Sequence, residues 1–307
     1  LIRYILFRLL NAAIIVIVVF VLVFLLTHWV ANPVDQLLPL SATQSERDAM
    51  AEKLGTDQPI LVQLYDYVAA ALHGDLGTSW DQDRPAIDIV LERLPTTMQL
   101  VAAAFGIAMV FGLLFGVLAS LWPRSFFDKL VSTSSLVGIC LPNFWVGLIL
   151  MIVFAVKLGW FPTSGVGTWK NLVLPAVTLA LLPLGRIVEI VRSAMLDQMR
   201  EQYVVTARAK GVSEWLVVAK HALKNTGVTT VTMGGWELGR MIAGYTVVVE
   251  VVFAWPGMGH LVFESIKQGD FALVQALALV IAVLIGLLNL LVDLSYPLFD
   301  PRIKYGS

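Results

Sequence analysis

The sequence is poor in the groups that carry out chemistry. Among 307 residues there is one cysteine, Cys140, and four histidines, His28, His73, His221 and His260. A single thiol excludes any disulfide within the chain, and scattered histidines with no H-E-x-x-H spacing and no cysteine partners build no metal site. No G-x-x-x-x-G-K-[ST] phosphate loop occurs. The segment "PTSGVG" from Pro162 reads as a turn and not as the elbow of a nucleophilic serine. No acids and bases cluster at one depth, so neither a catalytic residue nor a resident cofactor is expected. Low-complexity tracts and internal repeats are also missing. Charged residues make up 14% of the chain, against about 25% in soluble domains.

Hydrocarbon fills the space. The chain is 58% hydrophobic, with a mean hydropathy of +0.81. Apolar runs fall at about 9–29, 98–122, 134–156, 172–191, 228–253 and 273–294. Each is close to the ~20 residues that cross a bilayer core as a helix. Backbone groups in lipid must be satisfied internally, so the runs predict an all-α integral membrane protein with six transmembrane helices. The first run is longer than a signal-peptide core and no A-x-A-like site follows it, so a retained helix is expected.

Charge predicts the orientation. With the N-terminus inside, 13 of the 21 Lys and Arg residues fall on inner segments and seven on outer ones. Arg186 is counted here as an inner charge, and Arg240 alone lies mid-run. The short-loop excess of bases places both termini in the cytoplasm. Trp29, Trp80, Trp160, Trp169 and Trp255 then fit an outer interfacial belt.

The chain divides into residues 1–29 (first helix), 30–96 (an outer helical cap) and 97–307 (a five-helix core). In the cap, Ser41, Thr43 or Ser45 can N-cap a helix ending near Gly55. A second helix carries Ile60, Leu61, Leu64, Tyr65, Val68 and Leu72 on one apolar face. Later, a Pro-Gly turn in "FAWPGMGHLVFESIKQGDF" leads into a further short outer helix.

Between two apolar runs lies the compact basic stretch "REQYVVTARAKGVSEWLVVAKHALKN", residues 200–225. It reads as two helical arms. Gly211 suits a left-handed turn between them at no Cβ cost, and Ser213 can cap the second arm. The stretch resembles the cytoplasmic coupling loop of bacterial ABC-importer permeases, within the dipeptide/oligopeptide/nickel transport family. "LPNFWVGLIL", "LGWFPTSG", "LPAVTLAL", "FAWPGMGHL" and "NLLVDLSYPLFDPRI" continue that likeness in order along nearly the whole chain. The sequence departs from it at Val205, where the general importer pattern has Glu, and in "ANPVDQLLP", where many relatives carry Gly-Asp-Pro.

The resemblance implies a type I ABC importer permease fold in a bacterial inner membrane, with coupling at about 196–226. Tyr203, Thr206, Ala207, Arg208, Ala209, Lys210, Gly211 and Ser213 would meet the ATPase, with Ala207 and Ala209 permitting close approach. It implies a second, paralogous permease subunit, two ATP-binding subunits using ATP and Mg, and an outer solute-binding protein, with no nucleic-acid partner. The solute would be a peptide or, by the same machinery, nickel, a metal-chelate, glutathione or an opine. A stand-alone secondary transporter is the alternative of another class, and it gives the 200–225 stretch no purpose.

Within the runs, Glu237 and Arg240 share one helix face. Ionisable residues in membrane helices mark interiors or water-filled cavities, so they are candidate pathway residues, together with Asn143. Pro142 is expected to kink the third helix, and Asn289 and Asp293 to pack or cap near the inner end of the sixth.

Overall fold

A computed structural model describes residues 2–30, 38, 42–54 and 58–299. The chain is mostly helical. Helix α1 (Ile2–Val30) is followed by α2 (Gln44–Leu54), α3 (Ile60–Leu72) and a hairpin of β1 (Thr78–Ser79) with β2 (Arg84–Pro85). Helices α4 (Ala86–Leu121), α5 (Phe126–Cys140), α6 (Asn143–Leu150, with a π-helical end to Lys157) and α7 (Trp169–Gln198) come next. Then follow α8 (Gln202–Ala209) and α9 (Glu214–Leu216), which passes through a π turn into α10 (Leu223–Arg240). A second π turn leads to α11 (Thr246–Val252), and α12 (Met258–Gln268) and α13 (Phe271–Phe299) close the order.

Among the described residues, four helices are long and apolar enough to span a bilayer: α1, α4, α7 and α13. The third run is not a single kinked helix. At Leu141–Pro142 the chain turns by 105°, so α5 and α6 form a bent pair that makes a fifth span if counted as one. Pro142 has no N–H to continue α5, and it stands as N-cap of α6. Cys140, at the end of α5, is exposed and not buried in a helix core.

Small residues bring the two central helices together. Leu100, Ala104, Ala108, Gly112 and Gly116 recur every fourth position of α4 and are buried. They face Leu179, Ile187 and Val191 of α7 in the main core. A Cβ on Gly112 would lie 2.6 Å from Ile187 Cγ2, and one on Gly116 2.9 Å from the Val188 carbonyl. Close backbone approach of this kind is how membrane helices gain packing without a hydrophobic driving force.

The Pro-Gly turn is tied to α4 by a buried carboxylate. Glu250 accepts from the Thr97 hydroxyl at 2.8 Å and from the His260 N–H at 3.0 Å. Trp255 is also buried here, donating to the Thr96 carbonyl at 3.0 Å, so it does not belong to an interfacial belt. Trp80, Trp160 and Trp169 are exposed, and the side chain of Trp29 lies outside the described residues. Gly269 ends α12 in the left-handed conformation, and Asp270 caps α13 while accepting from Ser79 of the hairpin.

The 42–85 region holds the two helices expected of it. Thr43 precedes α2, its N–H and its hydroxyl both donating to the Glu46 carboxylate at 2.8 and 2.9 Å; Ser41 and Gly55 lie outside the described residues. In α3 the apolar stripe is divided, with Ile60, Leu61, Tyr65 and Leu72 exposed and Leu64 and Val68 half-buried. Packing is carried by Tyr67, stacked on Phe20 of α1 with ring centroids 4.7 Å apart. The last helix returns to the first, where Arg8 pairs with Asp293 at 3.0 Å.

Candidate functional site

Two sites stand out: a polar knob between α7 and α10, and an ionic cluster among the apolar helices.

The knob is built by α8 and α9 around Gly211, whose φ is +77°. The Gly211 N–H donates to the Arg208 carbonyl at 2.9 Å and the Val212 N–H to the Ala207 carbonyl at 3.2 Å. That pair of bonds is a Schellman motif, which satisfies the end of α8 and reverses the chain. Val204, Ala207 and Val217 form a small buried cluster inside the turn, with Tyr203 and Val212 against it. The Tyr203 hydroxyl donates to the Gln198 side chain, and Thr206 donates to the Gln202 carbonyl at 2.9 Å. Arg208 straps the arms together with both Nε and Nη2 on the Glu214 carboxylate. This guanidinium holds the Glu214 carboxyl below its usual range and is itself raised by the pairing.

Two expectations change. Ala207 is buried in the knob's own core, leaving Ala209 exposed without it. Ser213 occupies the N-cap position of α9, but its hydroxyl makes no capping bond. Lys210 and Gly211 are exposed at the tip. Sequence reasoning missed the exposed apolar residues beside them: Trp215, 76% accessible, with Val205 and Leu216. A tryptophan in an otherwise polar connection was the available signal.

In the bundle, Glu237 is fully buried and serves two arginines. Its Oε1 accepts from Arg240 Nη1 at 2.8 Å and from Arg186 Nη1 of α7 at 3.2 Å. Arg186 Nη1 also donates to the Tyr245 hydroxyl at 3.1 Å. Oε2 of Glu237 is buried with no hydrogen-bond partner. Arg240 lies over the ring of Trp236, 5.7 Å from its centroid. Arg186 is thus part of an interhelical cluster in the interior of α7 and not a loose charge at a helix end. Asn143 is half-buried at the start of α6, and among the described residues no hydrogen bond joins it to this cluster. No group of His, Cys, Asp and Glu among the described residues could hold a metal ion.

The chain matches the family of binding-protein-dependent transport system inner membrane components over residues 112–305, and the N-terminal component of such proteins over residues 1–101. It is 37% identical over 306 residues to the glutathione transport system permease protein GsiC of Salmonella typhimurium LT2, covering 99% of each. GsiC of Escherichia coli K12 is 36% identical over 304 residues, again covering 99% of each. Among solved structures, the inward-facing MetNI methionine ABC transporter superposes with a TM-score of 0.56 at 17% identity, over 69% of this chain and 96% of that one. An amino acid ABC transporter crystallised with histidines gives 0.50 at 17% identity, over 70% and 94%. Family matches along nearly all of the sequence and relatives aligned almost end to end establish that the chain belongs to the binding-protein-dependent transport system inner membrane components, as a multi-pass ABC-importer permease and not an enzyme.

Proposed function

We propose that the chain is one half of a hetero-oligomeric import pathway, paired with a paralogous permease. Two ATP-binding subunits using ATP and Mg drive it, and a solute-binding protein supplies it. The knob carries the reading. A strapped helix–turn–helix with a polar tip and an exposed Trp215 has the form of a docking element, and nothing in a stand-alone transporter requires one. Tyr203, Thr206, Arg208, Ala209, Lys210, Gly211 and Ser213 form its contact or framework residues within 196–226. On this reading the bent α5–α6 pair and the α10–α11 path complete six spans in a type I arrangement, divided as 1–29, 30–96 and 97–307. The Arg8–Asp293 pair keeps the two ends of the described chain together, and the inner excess of bases makes that side cytoplasmic. Residues 30–96 then form the outer cap.

The solute is a peptide-sized compound, and glutathione fits because the relatives aligned over 99% of the chain are glutathione permeases. Nickel, a metal-chelate or an opine would use the same machinery. Glu237 and Arg240 line the route, and Asn143 is a further candidate along it. Reconstituted with its partners, the chain is expected to take up glutathione only with ATP on the knob side. Uptake by the chain alone, driven by a proton or sodium gradient, would reject the reading.

A further inference from the structure

We infer that Arg240, held by Glu237 with Arg186 behind it, forms a cationic recognition site for the carboxylate of the translocated solute. The inference rests on the pathway reading above and gives that site a chemistry.

The charges do not cancel. One buried carboxylate lies between two guanidiniums that stay protonated at any physiological pH, so the cluster carries a net positive charge. The geometry leaves donors over. Both arginines place a single Nη1 on the same oxygen of Glu237 in place of a two-pronged fork. Among the described residues Arg240 makes no other hydrogen bond, and 40% of its side chain is accessible, against none for Glu237. Glu237 therefore acts from behind, holding the Arg240 guanidinium in place while its remaining N–H groups face open space. The Trp236 ring lies beside Arg240, 5.7 Å from ring centroid to guanidinium carbon, and is itself 61% accessible.

That open space is a groove of ≈ 490 Å³ between α1, α10 and α13, lined by Arg240 and Trp236 and continued by Asn11, Asn289 and the Arg8–Asp293 pair. The volume is within the ~300–1,000 Å³ typical of small-molecule sites. Hydrocarbon cannot satisfy a line of amides and guanidiniums, so the groove holds water or an anion. A planar guanidinium with free N–H groups matches the paired oxygens of a carboxylate. An anionic lipid headgroup offers related oxygens, so the two sources must be separated by experiment.

The probe is radiolabelled glutathione, bound without binding protein to the purified permease–ATPase complex in phosphatidylcholine nanodiscs. Its competitor is the glutathione monoethyl ester with the glycine carboxylate blocked. Wild type is expected to prefer the free acid by about tenfold, the scale of one charge-assisted hydrogen bond. Arg240→Gln should erase that preference and Arg240→Lys should retain part of it, so a folding defect is not mistaken for loss of recognition. Equal binding of acid and ester by wild type, or the same preference in Arg240→Gln, overturns the inference. So does failure to bind either compound, or displacement of glutathione when phosphatidylglycerol is added. ATP-dependent uptake by the full importer is scored separately, so these results leave the importer reading standing.

Discussion

Glu214 in the knob and Glu237 in the bundle both accept hydrogen bonds from arginine, yet their settings differ in every respect that sets an energy. Glu214 is 57% accessible and meets one guanidinium through both oxygens. Glu237 is inaccessible and meets two guanidiniums through one oxygen, its other oxygen unpartnered. The exposed pair has the better local geometry and the smaller consequence, because water replaces whatever is removed. The buried cluster has the poorer geometry and the larger consequence, because water reaches its two guanidiniums only in part. The knob is thus held mainly by backbone and packing, and the cluster by electrostatics.

The largest effect is expected where the counter-charge is taken away. Glu237→Ala leaves Arg186 and Arg240 facing each other without a carboxylate; breaking a fully buried pair costs about 3–5 kcal/mol, and the partial accessibility of both guanidiniums puts this loss below that range. The thermal midpoint of the detergent-solubilised complex should fall sharply, and the permease should be recovered poorly. Removing Glu237 and Arg240 together is not a neutral deletion, because Arg186 still needs a partner and keeps only Tyr245. Glu237→Ala at wild-type stability would put the bundle cluster on the same footing as the knob strap.

A smaller effect is expected at Gly211, where the backbone alone is at stake. A Cβ there meets nothing within 4 Å, and the φ of +77° is the whole constraint. An L-residue held in that region costs about 1–2 kcal/mol, more for a β-branched one. Gly211→Val is therefore expected to lose ATPase co-purification and solute-stimulated ATP turnover while the bundle stays folded. Gly211→Asn should keep both, since Asn tolerates the left-handed turn. Wild-type coupling in Gly211→Val would show that the arms need no fixed angle.

These two sites were unequally legible. Gly211 could be read from sequence because a turn is local, with its donors and acceptors within five residues of one another. The long spans were legible for a related reason, since each helix satisfies its own backbone. Arg186 was not, because its partner lies 51 positions away on another helix and no periodicity connects them. The bend at Pro142 shows the same limit. Proline marks the break, but nothing local in the sequence gives its angle of 105°. In α3 the spacing gave the helix, present at Ile60–Leu72, but not its partner: Tyr67 docks it on α1 while Leu61, Tyr65 and Leu72 are exposed.

The smallest effect is expected at the knob strap itself, and pH separates it from everything else. Arg208 holds the Glu214 carboxyl below its ordinary value, first by the hydrogen bond and then by charge. A depressed carboxyl contributes its stability above the unfolded value, near ~4.3, and loses it as pH falls through the lower folded value. Both groups are substantially exposed, so the strap is worth about 0–1 kcal/mol and less in high salt. Hydrogen exchange over residues 202–217 reads this directly, through the Val212 and Val217 amides that close the two arms. At neutral pH, Arg208→Gln is expected to raise exchange by no more than about fivefold, the kinetic equivalent of that energy. Towards acid the difference from wild type should shrink, vanishing once Glu214 is protonated in both, because a neutral carboxyl no longer favours the guanidinium. A difference that persists unchanged into acid would mean that Arg208 acts through its packing across the turn and not through its charge.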